Sequence, residues 1–270
     1  MIKKSIVVST QPTKFSALAF KEDLDKNIKK VADLGFDGVE LAVRDPKYLD
    51  VEKIVQLVKK SNLEVPAIGT GQAWGDEGLS FSDPNEVVRK IAVERIINQI
   101  KFASHFNAQV IIGLIRGIVK EGVTRKQAEE WTIASLRECT EFAQEKNIKL
   151  TLEPVNRYES NFINTLQDGV EFIDKVAVSS VGLLADTFHM NIEEASIYDS
   201  IIQAKDYISH VHFADSNRWA PGYGHLDFQK VLETLKEINY QGYVSAEILP
   251  MPDQEAAAEK TIETLVQLSL

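Results

Sequence analysis

Four residues in the C-terminal half of the chain each close a short run rich in Val, Leu and Ile. They are Glu153 in KLTLEP, Asp186 in VGLLAD, His212 in ISHVHF and Glu247 in GYVSAE. A loop signal follows each one within a few residues: Pro154, Thr187, Asp215-Ser216-Asn217 and Pro250. A buried run that ends in a charge or an imidazole, four times over, reads as parallel strands whose C-terminal ends converge on one point. Three carboxylates cannot gather there without a counter-charge, because like charges at close range disfavour joint ionisation. A divalent cation with one imidazole ligand resolves the conflict.

The elements that would position these groups alternate along the whole chain. The apolar patterns predict strands at 5–10, 38–43, 65–70, 108–115, 149–154, 181–186, 208–214 and 242–249. Helical spacing predicts helices at 23–35, 51–61, 87–106 and 228–238 among the intervening segments. Asp83, Pro84 and Glu86 form a start signal for the third of these, and Gly35 and Gly242 fit C-terminal caps. Eight strand–helix units without a Pro/Gly/Ser-rich linker predict an α/β protein, one (β/α)8 barrel domain over residues 1–270. A doubly wound open sheet would carry fewer strands and a Gly-rich phosphate turn, and no GxGxxG or GxxxxGK[ST] motif is present. Barrels of this kind place their reactive groups at the C-terminal strand ends. Alternation along a strand also puts His210 with His212, Ser245 with Glu247 and Thr151 with Glu153 on the inward face.

Bulk properties narrow the function. The net charge of −10 argues against a nucleic-acid backbone as partner. One cysteine, Cys139, excludes an internal disulfide, suits a reducing compartment and sits in a helical pattern as a small packed residue. The N-terminal apolar stretch is too short for a secretory signal, and no run of about 18 apolar residues is present, so neither export nor a membrane span is expected. The expected location is the cytoplasm.

The runs EPVNRYESNFINT (153–165), DTFHMNIEE (186–194), HVHFADSNRWAPGYG (210–224) and SAEILP (245–250) resemble the ketose 3-epimerases. That family includes the D-tagatose and D-psicose (allulose) 3-epimerases, within the xylose isomerase-like barrel superfamily. The four charged residues follow one another at 33, 26 and 35 positions, as in that family, and the likeness weakens before residue 150. The resemblance implies a Mn²⁺-type site with Glu153, Asp186, His212 and Glu247 as ligands. Three oxygens and one nitrogen also suit a hard octahedral ion, Mn²⁺ or Mg²⁺ with Co²⁺ as a substitute, leaving two positions for substrate oxygens. Epimerisation beside a ketone removes a proton from one face and returns it to the other through an enediolate, which a bound cation stabilises. The resemblance assigns the two faces to Glu153 and Glu247. It further implies that Glu159 contacts substrate and orients the catalytic glutamate, and that His189 and Arg218 hold the carbonyl-side oxygens. A homo-oligomer, dimer or tetramer, is implied on the same ground. Each of these last three residues has a plainer reading, a loop ion pair for Glu159 and Arg218 and a helix-start polar residue for His189.

Two arginines depart from what a neutral ketose requires. Arg44 and Arg116 end strands 2 and 4 and are predicted to project at the mouth, with Gln72 between them on the exit of strand 3. Guanidinium pairs suit a carboxylate, so the expected substrate widens to a keto-sugar acid such as a ketohexonate of the 5-keto-gluconate or tagaturonate type. Ion pairing with Asp45, Asp37 or Glu40 is the bland alternative. His210 is expected to be a packed, hydrogen-bonded histidine and His105 a surface residue, while His225 falls in the loop after strand 7, with a roof over the pocket as its minor reading. Trp74, Trp219 and Tyr223 fall in strand-end loops, where they would cover a sugar face or simply pack. Three competing functions remain. A hydroxypyruvate isomerase-like aldose–ketose isomerase shares the metal and both glutamates. A three-zinc DNA-repair endonuclease needs more histidines than the five present. A non-catalytic sugar-binding barrel predicts decay of a ligand.

Overall fold

Every predicted strand forms, and the eight pair in parallel in chain order until β8 closes on β1. The computed structural model describes residues 1–21 and 23–270. The strands are β1 Lys3–Ser9, β2 Gly38–Ala42, β3 Ala67–Gly69, β4 Gln109–Ile112, β5 Leu150–Leu152, β6 Val181–Asp186, β7 Ile208–His212 and β8 Tyr243–Ala246. Around them lie α1 Leu24–Asp33, α2 Val51–Lys60, α3 Gly71–Gly75, α4 Glu86–Ala103 and α5 Arg125–Glu145. The ring continues with α6 Leu166–Val176, α7 Thr187–Glu193, α8 Ile197–Gln203, α9 Phe228–Glu237 and α10 Gln254–Gln267. The architecture is a (β/α)8 barrel. No described helix is long and apolar enough to cross a membrane.

Side-chain alternation separates two interiors. Val39, Leu41, Leu150, Leu152, Val211, Phe213, Val244, Ala246 and Ile248 face outward and join one apolar cluster with the helices. Each Val, Leu, Ile or Phe among them, fully withdrawn from water, contributes roughly 1.5–3 kcal/mol. Inside the barrel, Ala67, Ile111 and Leu184 form a small separate cluster. Val7 and Ala42 form another with Leu18, and the polar inward positions include Ser5, Glu40, Thr151, His210 and Ser245, all buried. A register shift between Leu183 and Leu184 irregularly spaces β6 against β7. Ser209 thereby turns inward beside His210, where its hydroxyl meets Thr151 Oγ1 at 3.0 Å.

Several boundaries differ from the sequence expectation for local reasons. β5 and β8 stop early, so Glu153 and Glu247 lie just past their strands, whereas Asp186 and His212 are the last residues of theirs. β4 ends at Ile112 because Gly113 turns the chain into a 3-10 segment at Leu114–Arg116. Asp83 does not cap α4. Asn85 does, accepting from Val87 N, while Asp83 accepts from Asn85 N and pairs with Lys120. Gly35 occupies a left-handed position after α1 as expected. After α9 that conformation falls to Asn239 and not to Gly242, whose missing Cβ instead makes room for the Tyr240 ring.

Candidate metal centre

The C-terminal mouth of the barrel gathers the four strand-end residues. Glu153, Asp186, His212 and Glu247 each offer one ligand atom, and these atoms all lie within 4.8 Å of one another. His212 Nδ1 stands 3.6 Å from Asp186 Oδ2 and 3.9 Å from Glu153 Oε1. All three of these atoms are buried and lack a hydrogen-bond partner among the described residues. Buried polar groups are ordinarily satisfied, so three orphaned donor atoms facing one another fit a cation between them. The other oxygen of Asp186 caps α7 by accepting from Phe188 N and His189 N, which fixes the carboxylate plane. Gly113 leaves space for Glu153, since a Cβ there would come within 2.5 Å of Glu153 Oε2.

The electrostatics express the same need. Burial, reinforced by Glu247, pushes the Glu153 carboxyl up to about 8. Glu247 also rises through burial, opposed by Arg218 and His212. Burial acts in the same direction on Asp186, but the neighbouring His189 and His212 outweigh it and hold its carboxyl low. Of three carboxyls, two therefore resist ionisation until a positive charge enters.

Around this centre a second set of contacts orients the reacting groups. Arg218 donates from one nitrogen to Glu159 Oε1 at 3.0 Å and from another to Glu247 Oε2 at 2.9 Å. Its backbone is left-handed, with φ 61°, and its guanidinium lies 4.9 Å from the centre of the Phe188 ring. His189 Nδ1 receives Asn156 Nδ2 at 2.7 Å and the Asn156 backbone N–H at 3.4 Å. A backbone N–H only donates, so Nδ1 accepts and the proton of His189 sits on Nε2, toward Glu153 and Asp186. Burial pulls the His189 pKa down to about 4, so the ring is neutral at physiological pH. The cavity that remains is about 30 Å³, lined by these groups with Phe15, Thr70 and Leu114, enough for an ion or a water. Two cavities of about 520 and 530 Å³ open at the opposite end of the barrel, and among the described residues neither gathers three or more carboxylates and histidines.

The anion clamp expected from Arg44 and Arg116 does not form. Arg116 is fully buried, and its nitrogens donate to Gly113 O, Phe162 O, Ile163 O and Ser160 Oγ. Burial lowers its pKa only to about 10, so it remains a cation, but one spent on backbone carbonyls. Arg44 lines a different depression, with Thr13 and Asp76, and lies 3.8 Å from Asp76 and 3.7 Å from Glu77. Gln72 also turns away, donating to Ser9 Oγ at 2.8 Å. These three residues reach the right end of the barrel in sequence but face other partners. His225 is exposed, bonds Ser216 Oγ and lies outside the cavity lining, as do Trp74, Trp219 and Tyr223. His210 is packed and hydrogen-bonded, and His105 is exposed.

Sequence reasoning passed over three participants. Glu40 bonds both His210 and His212 from inside β2, and a lone charge within the apolar GVELAV was the available signal. Asn156 and Phe15 carried no comparable signal, since loop residues gain meaning only from what they touch.

The family described as xylose isomerase-like TIM barrel matches residues 28–268. A D-psicose 3-epimerase of Ruminiclostridium cellulolyticum is 32% identical over 234 residues, 84% of this chain and 79% of that protein. A 3-dehydro-D-guloside 4-epimerase of Escherichia coli is 30% identical over 240 residues, covering 83% and 87%. Among solved structures, D-psicose 3-epimerase with D-tagatose from Clostridium cellulolyticum superposes with a TM-score of 0.84 at 26% identity, covering 99% of this chain and 98% of that one.

Proposed function

The chain belongs to the xylose isomerase-like TIM-barrel family and is a carbohydrate epimerase related to the ketose 3-epimerases, and on that premise we propose that it inverts the carbon beside the keto group of a sugar, with a divalent metal. The observation that carries this reading is the trio of orphaned atoms, Glu153 Oε1, Asp186 Oδ2 and His212 Nδ1, facing one point beside Glu247. Glu153, Asp186, His212 and Glu247 would hold the ion, and Mn²⁺ suits three oxygens and a nitrogen, with Mg²⁺ or Co²⁺ able to replace it. When bound, the ion supplies Lewis-acid stabilisation of charge on the carbonyl-side oxygens.

The remaining work falls to side chains. One of Glu153 and Glu247 removes the proton from the carbon beside the ketone, and the other returns a proton to the opposite face. A single base would restore the starting configuration, so two carboxyls from well-separated strands are needed. They must begin in different protonation states, which their shared burial favours. Arg218 fixes Glu247 through one hydrogen bond and is itself fixed by Glu159. His189, neutral and protonated at Nε2, donates to the oxygen that gains charge. Among the described residues, Arg218 is the one Arg or Lys side chain that lines the cavity, so the favoured substrate is a neutral ketose or keto-glycoside and not a keto-sugar acid.

The test uses Mn²⁺-loaded protein in D₂O with D-psicose, D-fructose, L-ribulose and a 3-keto-D-glucoside, read by NMR of the products. The expected product carries deuterium at the inverted carbon adjacent to the ketone. Glu153→Gln and Glu247→Gln should each lose at least about 10³-fold in kcat, as expected for an essential proton-transfer group, while keeping the wild-type circular dichroism. An aldose product would move the assignment to an aldose–ketose isomerase, and inversion with retention of the original hydrogen would sink the two-carboxyl scheme.

A further inference from the structure

A buried carboxylate bridges two histidines directly beneath the proposed ligand set. Glu40 Oε2 lies 2.8 Å from His210 Nε2, and both Glu40 oxygens lie 3.1 Å from His212 Nε2. The two rings meet edge to face with centroids 5.2 Å apart, and all three side chains are withdrawn from solvent. Glu40 comes from β2 and the histidines from β7, so the contact spans the barrel interior past β1 and β8. Small inward residues, Ser5 and Ser245, sit opposite each other on those two strands and leave the passage open.

We propose that Glu40 is a positioning residue that keeps the proton of His212 on Nε2 and thereby presents the Nδ1 lone pair to the metal. The inference rests on the reading of Glu153, Asp186, His212 and Glu247 as ligands. An ionised carboxylate only accepts hydrogen bonds, and its burial is tolerable only when its oxygens are satisfied. Glu40 is satisfied when both rings donate from Nε2. The Nδ1 atom of His212 then carries its lone pair toward Asp186 Oδ2 and Glu153 Oε1, where it has no hydrogen-bond partner. The opposite tautomer would turn an Nε2 lone pair against the carboxylate and place an N–H where the ion belongs. A ligand histidine is commonly held in this way by a carboxylate on its far nitrogen, and His210 supplies the second donor that steadies Glu40.

The test compares metal-stripped, full-length wild type with Glu40→Gln, whose amide keeps the shape, has one acceptor oxygen and can offer a competing N–H. Titration with Mn²⁺ by calorimetry should show binding weakened roughly 10- to 100-fold. Long-range ¹H–¹⁵N correlation of histidine-labelled, metal-free wild type, recorded at a pH where the His212 ring is neutral, should show its proton on Nε2 and not on Nδ1. Affinity within twofold of wild type in a folded Glu40→Gln protein would overturn the proposal, as would an unprotonated Nε2 in the wild type. Two Mn²⁺ ions per chain with Nε2 deprotonated would make Glu40, His210 and His212 a second metal site instead, and would also overturn it. If Glu40→Gln fails to fold, the wild-type nitrogen measurement decides alone. Wild type that takes no Mn²⁺ would remove the proposed metal function, while the Nε2 proton would still show whether Glu40 fixes the His212 tautomer.

Discussion

Arg116 shows how one residue's role follows from its donors and not from its place in the chain. Its guanidinium satisfies carbonyls of Gly113, Phe162 and Ile163, so it ties the loop after β4 to the loop after β5. Stranding a buried acceptor costs about 1–3 kcal/mol. Arg116→Met is therefore expected to lower unfolding free energy by at least about 3 kcal/mol, measured by urea denaturation. Arg44 is partly exposed, with carboxylate partners at 3.7–3.8 Å and one exposed hydrogen bond of 3.3 Å to Pro12 O, and Arg44→Met should stay within about 0.5 kcal/mol of wild type. Nor should Arg44→Met alter KM for a neutral ketose. A stable Arg116→Met protein with a selectively raised KM for a keto-sugar acid would restore the clamp that the hydrogen bonds argue against.

At the scale of elements, the centre depends on where each strand stops. Asp186 and His212 project from the paired ends of β6 and β7, which share register. Glu153 and Glu247 sit just beyond the last pairs of β5 and β8, where neighbouring turns set their direction. The turn after β4 is the tightest of these constraints, because Gly113 abuts the Glu153 carboxylate. Gly113→Ala should push that carboxylate aside and reduce kcat roughly 10- to 100-fold, the scale of a misplacement near 1 Å. Its thermal midpoint should change little, since the strand itself is untouched. Unaltered kcat would mean that Glu153 has slack the packing does not reveal. The same scale shapes the small cavity, whose lining includes Phe15 and Leu114 from the loops after β1 and β4.

For the whole molecule, gathering acidic groups at one end of a closed barrel stores repulsion that a bound cation would relieve. Binding to the native state alone stabilises it by about 2.7 kcal/mol when the free ion is at a hundredfold its Kd. Removal of metal with a chelator should lower the thermal midpoint, and Mn²⁺ should restore it in a concentration-dependent way, followed by scanning calorimetry. A midpoint indifferent to both treatments would argue that the four groups hold no ion in the native protein.

The sequence by itself determined the barrel and its four convergent groups, because both are written locally. A strand announces itself through a run of Val, Leu and Ile, and a charge at the end of that run is visible without knowing its neighbours. Eight repeats of strand and helix, once closed, bring the ends of β5 to β8 to the same rim whatever their loops do. Tertiary structure alone decided which of the other charges face that rim. Arg116 meets acceptors 44 to 47 residues away, and Glu40 meets histidines 170 and 172 residues away. Partnerships of that span arise from barrel closure and the pointing of individual side chains. Arg44, Arg116 and Gln72 read as mouth residues from their strand ends alone, whereas Glu40 was legible only as a misplaced charge, since a hydrogen bond needs both partners' positions.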